Sequence, residues 1–292
     1  MKRASVSALA GPLRSRVGSN DSSEAPRTSL RRFFDARAAG WERDHCCART
    51  AGHATFPAVI AALMTALSRL PHARVTVLDV GCATGAHLRA LSAHIHAGHG
   101  IDQSPEMIAQ ARARLAQTSI VNLSFAVMDI ELCPAGRRFE LITLLGVFEH
   151  VVDKSRALQV LKTLLAEDGR IVITSTNPAR FGFWRRAAVR RTRTPKFCPG
   201  DAFLDPAEMR GFLSAQGFSL ETVAGLEVPA LEERPHAGVA GRRTRLRGRW
   251  APATLIYTVR HADESDVREG ATRARAECRS NFSKRCRDSA GT

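Results

Sequence analysis

One stretch constrains the chain more than any other: Val75-Thr76-Val77-Leu78-Asp79-Val80-Gly81-Cys82-Ala83-Thr84-Gly85. Its first half is a continuous apolar, β-branched run, the composition of a strand covered on both faces of a parallel sheet. Its second half is a glycine turn of small residues, after which Ala86-His87-Leu88-Arg89 starts a helical pattern. Strand, glycine turn and helix frame a nucleotide-type site. Small residues let the backbone approach a ligand closely, and the helix N-terminus presents unpaired N–H groups.

The same rhythm continues downstream. Gly100-Ile101-Asp102 closes a second strand seventeen positions past Gly85, where an acid is placed to accept hydrogen bonds from a ribose diol. Ser104-Pro105-Glu106 opens a helix running towards Leu115, with serine as N-cap, proline in the first turn and an acid at the positive dipole end. Leu123–Val127 reads as a third strand and Phe139–Leu145 as a fourth, with Gly146-Val147-Phe148-Glu149-His150-Val151 at its carboxyl edge. A helix from about Ser155 to Leu165 leads through the turn Glu167–Arg170 to a fifth strand, Ile171–Thr176. A capped helix from Asp205 to Gln216, a strand Phe218–Val223 and a last strand Thr254–Val259 complete the pattern. Strands alternating with helices over short loops imply a parallel sheet whose ligands bind outside the strands' carboxyl ends. Asp129 then lies where an adenine amino group can be read, with Met128 or Ile130 packing on the ring.

The flanks differ in character. Residues 1–29 read as a disordered basic tail. Phe33, Phe34, Arg37 and Trp41 share a helical face, and Phe56 to Leu70 is a second amphipathic helix. Together they predict a helical cover over residues 30–72, across the mouth of the site; simple packing on the sheet is the alternative for each aromatic. The core is assigned to residues 73–178. An insertion at 179–200, aromatic and then strongly basic, follows the fifth strand, and a basic loop spans Arg242–Arg249 within a C-terminal part at 201–262. Residues 263–292 read as a second disordered tail.

The formal charge of +15 sits entirely in these flanks, because Arg74 to Pro178 carries ten Lys/Arg against ten Asp/Glu. Basic flanks suit an anionic membrane surface, a nucleic acid, or solvent alone. No run approaches the ~18 apolar residues of a membrane span. The opening Met1–Ala10 is too short in apolar residues for a secretory signal, and its Arg- and Ser-rich, acid-poor continuation leaves a transit peptide or a disordered tail. Seven cysteines with no C-x-x-C pair argue against a disulfide framework or zinc knuckle and for the cytoplasm. His94, His96 and His99 cluster without a thiolate or carboxylate partner, so no metal is expected there.

The dinucleotide fingerprint G-x-G-x-x-G is absent. Asp79-x-Gly81-x-x-x-Gly85 instead resembles motif I of the class I S-adenosylmethionine (SAM) methyltransferases, with Ala83 where a middle glycine is usual. Motif I, Asp102, Asp129, the Glu149-His150-Val151 edge and the Asp168-Gly169 turn extend the resemblance over residues 30–260. It implies an α/β fold: a Rossmann-like, seven-stranded, mostly parallel sheet with an antiparallel last strand and helices on both faces. It also implies SAM as cofactor, bound by Asp79, Gly81, Ala83, Gly85, Asp102, Gln103, Met128, Asp129, Ile130 and Leu145. For Asp79, facing the methionine ammonium and bracing the turn both stand. Within the family, Phe148-Glu149-His150-Val151 and Thr176-Asn177-Pro178 resemble the ubiquinone-biosynthesis O-methyltransferases, which commonly carry a further Glu where this chain has Gly146.

SAM supplies an activated methyl group, so the protein mainly positions donor and acceptor. A phenol-type acceptor must lose its proton, and His150 is the expected general base, with Glu149 orienting it. A contact with SAM alone is the other reading of His150. Expected partners are a small, lipophilic acceptor and a peripheral membrane surface, with oligomeric state open. Methylation at carbon or nitrogen is an alternative. Nucleic-acid methylation lacks its Asn/Asp-Pro-Pro-Tyr/Phe motif after strand four, and no donor residue is missing to suggest a non-catalytic SAM binder.

Overall fold

The structure, a computed structural model, describes residues 24–46, 51–177, 204–226, 254–263 and 266, with backbone alone for 24 and 51–54. The basic insertion at 179–200, the loop at 242–249, residues 1–23 and nearly all of the C-terminal tail lie outside the described residues. Seven strands form one sheet: β1 (Thr76–Val80), β2 (Ala97–Asp102), β3 (Leu123–Val127), β4 (Phe139–Leu145), β5 (Leu165–Thr176), β6 (Phe218–Leu226) and β7 (Thr254–His261). Their order is β3-β2-β1-β4-β5-β7-β6. β1 to β5 run parallel, and β7 inserts antiparallel between β5 and β6. The expected seven-stranded sheet with an antiparallel last strand is therefore present.

The helices are α1 (Glu24–Asp35), α2 (Trp41–His45), α3 (Ala51–Ser68), α4 (Ala86–Leu91), α5 (Pro105–Ala116), α6 (Lys154–Leu164) and α7 (Pro206–Ala215). The period-2 alternation of the strands divides the core. Leu78, Val80, Ile142, Leu144, Ile171, Ile173 and Tyr257 pack with α6 and α7 on one face. Val77, Leu141, Val172 and Ile256 pack with α3, α4 and α5 on the other. Both faces are covered, which is why the central strands read as unbroken apolar runs.

The order in which strands are added reverses between β1, whose outer neighbours are β2 and β3, and β4, whose outer neighbour is β5. The crevice beyond the carboxyl ends of such strands is where an open α/β sheet binds ligands.

The structure moves several boundaries. Helix α1 starts at Glu24, inside the stretch read as a tail ending at residue 29. Leu30 is buried, and Arg27 pairs with Glu131 and Asp129. Those partners lie across the fold, so local polarity could not reveal them. Helix α3 begins at Ala51 rather than Phe56 and carries Pro57 inside it. β5 begins at Leu165, and the residues read as the turn Glu167–Arg170 form an irregularity between Phe139↔Leu165 and Leu141↔Arg170. The capping signals held: Ser104 Oγ accepts from Met107 N–H, and Asp205 with Glu208 forms a full capping box.

Candidate active site

A cavity of about 680 Å³ opens at the carboxyl ends of β1, β2, β3, β4 and β5. Gly81, Ala83, Asp102, Gln103, Met128, Asp129, Ile130, Leu145, Glu149 and His150 all line it, as do Phe33, Phe34, Arg37 and Trp41 of the cover. Two residues assigned to the donor site, Asp79 and Gly85, are not on its wall. Both are buried behind it.

The turn after β1 is built in left-handed backbone, with φ of 67° at Gly81, 46° at Ala83 and 76° at Gly85. A Cβ on Gly85 would lie 2.4 Å from the Phe125 ring, and one on Gly81 2.4 Å from Val147. Both positions require glycine on space as well as on φ. Asp102 anchors the turn: Oδ2 accepts from Ala83 N–H at 3.0 Å and Oδ1 from Ser104 N–H at 2.8 Å. Burial raises its carboxyl to about 6, against the two N–H groups, and nearby Asp35 adds to the rise.

Asp79 is 2% exposed beneath the turn, where Oδ1 accepts from Thr143 Oγ1 at 2.6 Å. Burial pushes its carboxyl up to about 7; the Thr143 hydrogen bond opposes this and Asp102 reinforces it. Its Oδ2 is buried with no hydrogen-bond partner among the described residues.

At the end of β3, Asp129 caps a 3-10 turn by accepting from Glu131 N–H at 2.9 Å, and its other oxygen lies 3.4 Å from Arg27 Nε. Glu131, 3% exposed, takes the Arg27 guanidinium on Oε2 and Asp153 N–H on Oε1 at 3.0 Å. Sequence reasoning did not single out Glu131 or Arg27. An acid followed by an apolar residue at a strand end carries no local sign of a partner 104 residues away.

His150 sits on the 3-10 turn Phe148–His150 after β4, against the edge of Phe34 from the cover. Two further histidines line the cavity, His45, stacked on Trp41 at 3.8 Å, and His87, stacked on Phe56 at 4.9 Å. Burial lowers His87 to about 4, so it is a neutral imidazole at physiological pH. Gly146 holds φ 68° at the rim with nothing within 4 Å of where a Cβ would stand. The place of the glutamate that the resemblance implies is thus open space. Among the described residues no group of three or more His, Cys, Asp or Glu is placed to hold a metal, Cys82 and Cys133 are free thiols, and no helix is long and apolar enough to cross a membrane.

This geometry agrees with the relatives. Residues 71–196 match the family model described as a methyltransferase domain. The ubiquinone biosynthesis O-methyltransferase of Xanthomonas axonopodis pv. citri (strain 306) is 29% identical over 171 residues, 54% of this chain and 69% of that protein. Magnesium protoporphyrin IX methyltransferase from Synechocystis PCC 6803, solved with bound S-adenosylhomocysteine, superposes with a TM-score of 0.58 at 18% identity, over 81% of this chain and 100% of that one. A chain of the complex between the Haloferax volcanii Trm112 methyltransferase activator and its methyltransferase gives 0.58 at 23% identity, over 80% and 98%.

Sheet order, turn and cavity define a methyltransferase of the class I, Rossmann-like type. The chain belongs to the SAM-dependent methyltransferases, and SAM is its methyl donor. The residues present fit that donor. A left-handed small-residue turn gives close backbone approach, and Asp79 offers an unpaired buried carboxylate oxygen beneath it.

Proposed function

We propose that the protein methylates the hydroxyl of a small, phenol-type acceptor. The observation that carries this reading is the placement of His150 on the same cavity wall as Asp102 and the donor turn, under an aromatic cover. Phe33, Phe34, Trp41 and Phe56 make that wall apolar and flat-faced, as an aromatic acceptor requires. The ubiquinone-biosynthesis O-methyltransferases among the relatives support oxygen over nitrogen or carbon.

When bound, SAM supplies a methyl group already activated by its sulfonium. The chain's own work is positioning and one proton transfer. Asp102 holds the ribose hydroxyls and Asp129 the adenine edge, with Met128 and Ile130 against the ring. Asp79, beneath the turn and off the wall, sets a carboxylate behind the donor's cationic end rather than in contact with it. His150 would take the acceptor hydroxyl proton, readying the oxygen to receive the methyl group as the methyl–sulfur bond breaks and S-adenosylhomocysteine leaves, and Glu149 would orient the imidazole. The cover excludes water from the reacting groups. Basic flanks add a peripheral contact with an anionic membrane, which suits a lipophilic acceptor and a cytoplasmic enzyme.

A panel of catechols and other lipophilic phenols, assayed with labelled SAM, tests the reading. Transfer to oxygen of at least one phenol is expected. Transfer only to amines or carbon acids would overturn it.

A further inference from the structure

Glu42 is off the cavity wall, although Trp41 and His45 of the same short helix α2 are on it. Its carboxylate gathers three groups of the core. Oε1 accepts from Thr84 Oγ1 at 2.8 Å and from Arg89 Nη2 at 2.5 Å, and Oε2 pairs with Arg114 Nη1 at 3.2 Å. Arg89 turns its Nη1 to the Thr84 carbonyl at 2.6 Å. Thr84, 1% exposed, is gripped at its hydroxyl by Glu42 and at its carbonyl by an arginine that Glu42 also holds.

Thr84 stands next to Ala83, which has the one positive φ of any non-glycine residue among the described residues. An L residue with a Cβ is strained in that conformation and stays there only when its surroundings over-determine it. Two restraints are visible. Asp102 Oδ2 holds the Ala83 N–H from the sheet side. From the cover side, Glu42 locks the following residue, directly at its hydroxyl and through the core Arg89 at its carbonyl.

We propose that Glu42 is a positioning residue for the methyl donor: reaching in from the cover, it fixes Thr84 and so keeps Ala83 left-handed and the cavity-facing turn in its donor-binding form. The proposal rests on the donor reading of this site. It ties donor binding to docking of the cover, since one short helix carries both Glu42 and the acceptor-side Trp41 and His45. If Glu42 merely anchored the cover, as an ordinary ion pair does, the conformation of residue 83 would not depend on it.

The two roles separate in a double-mutant cycle on the full chain, read by calorimetric titration with S-adenosylhomocysteine and by thermal melting. Glu42→Ala is expected to weaken binding about tenfold, the worth of the released strain. Glu42→Gln keeps an oxygen for Thr84 and should lose about threefold. The decisive corner is Ala83→Gly combined with Glu42→Ala. Glycine adopts positive φ without penalty, so affinity should return to within about threefold of Ala83→Gly alone. Additive losses, or undiminished binding by Glu42→Ala, would overturn the inference while leaving the donor site standing. If Glu42→Ala does not fold, the same cycle runs with Glu42→Gln. Failure of the unsubstituted protein to bind S-adenosylhomocysteine would overturn the donor reading, and this inference with it.

Discussion

The Phe34 ring meets His150 edge-on, with centroids 5.3 Å apart and planes at 70°. A residue of the N-terminal cover thus touches the residue assigned the proton transfer. The same Phe34 packs edge-on with Phe33 and Trp41, so the cover presents His150 with a connected aromatic cluster rather than one ring.

His150→Ala is expected to lower kcat by about 10²–10⁴, the range for a lost general base, with S-adenosylhomocysteine affinity kept within about threefold. Steady-state kinetics beside calorimetry checks both halves. Full activity would remove His150 as the base.

Asp102→Ala removes the proposed ribose partner and the acceptor of the Ala83 N–H together. Donor affinity should fall by about 1–3 kcal/mol. Titration with S-adenosylhomocysteine reads this directly, and unchanged affinity would sink the ribose assignment.

Stability should depend on pH through Asp79. The native state holds this proton until about pH 7, whereas the unfolded chain releases it near 3.8. Between those values the native state binds more protons, so stability of the donor-free protein falls as pH rises through the window and levels off above it. Asp79→Asn keeps an oxygen for Thr143 but never ionises. Its donor-free form should be more stable than the parent at pH 8, by up to a few kcal/mol, and its stability should lose part of the slope below pH 7. Denaturant titrations at pH 5 and pH 8 measure the difference; identical slopes in the two proteins would contradict it.

Arg27→Ala leaves the buried Glu131 carboxylate without its cation and should cost about 1–3 kcal/mol of stability. Adding Glu131→Gln should restore part of that loss, since a neutral amide tolerates the site better. A denaturation cycle on the four proteins gives the coupling, and simple additivity would refute the pairing.

What the sequence made legible was local in the chain. The glycine turn, the acid ending β2, the caps of α5 and α7 and the Glu149-His150 edge each declare themselves within a few residues; the structure forms both caps and brings the turn, Asp102 and the Glu149-His150 edge to one crevice. The misses are contacts at long separation. Glu42 meets Thr84 and Arg89 from 42 and 47 residues away, and the polar start of α1 becomes ordered through Arg27, whose partner is 104 residues on. Asp79 and Gly85 stand out as motif residues, but only the fold shows that they lie behind the cavity wall rather than on it. Alternation within β1 turns Asp79 to the α3–α5 face, and Phe125 occupies the room beside Gly85.

The cover also has a place in time. Residues 24–46 are synthesised before everything that holds them: Thr84, Arg89, Arg114, Asp129 and Glu131. An element whose anchors emerge later pays loop-closure entropy at the end of folding, not the beginning. Docking of this segment therefore waits on anchors as far along the chain as Glu131.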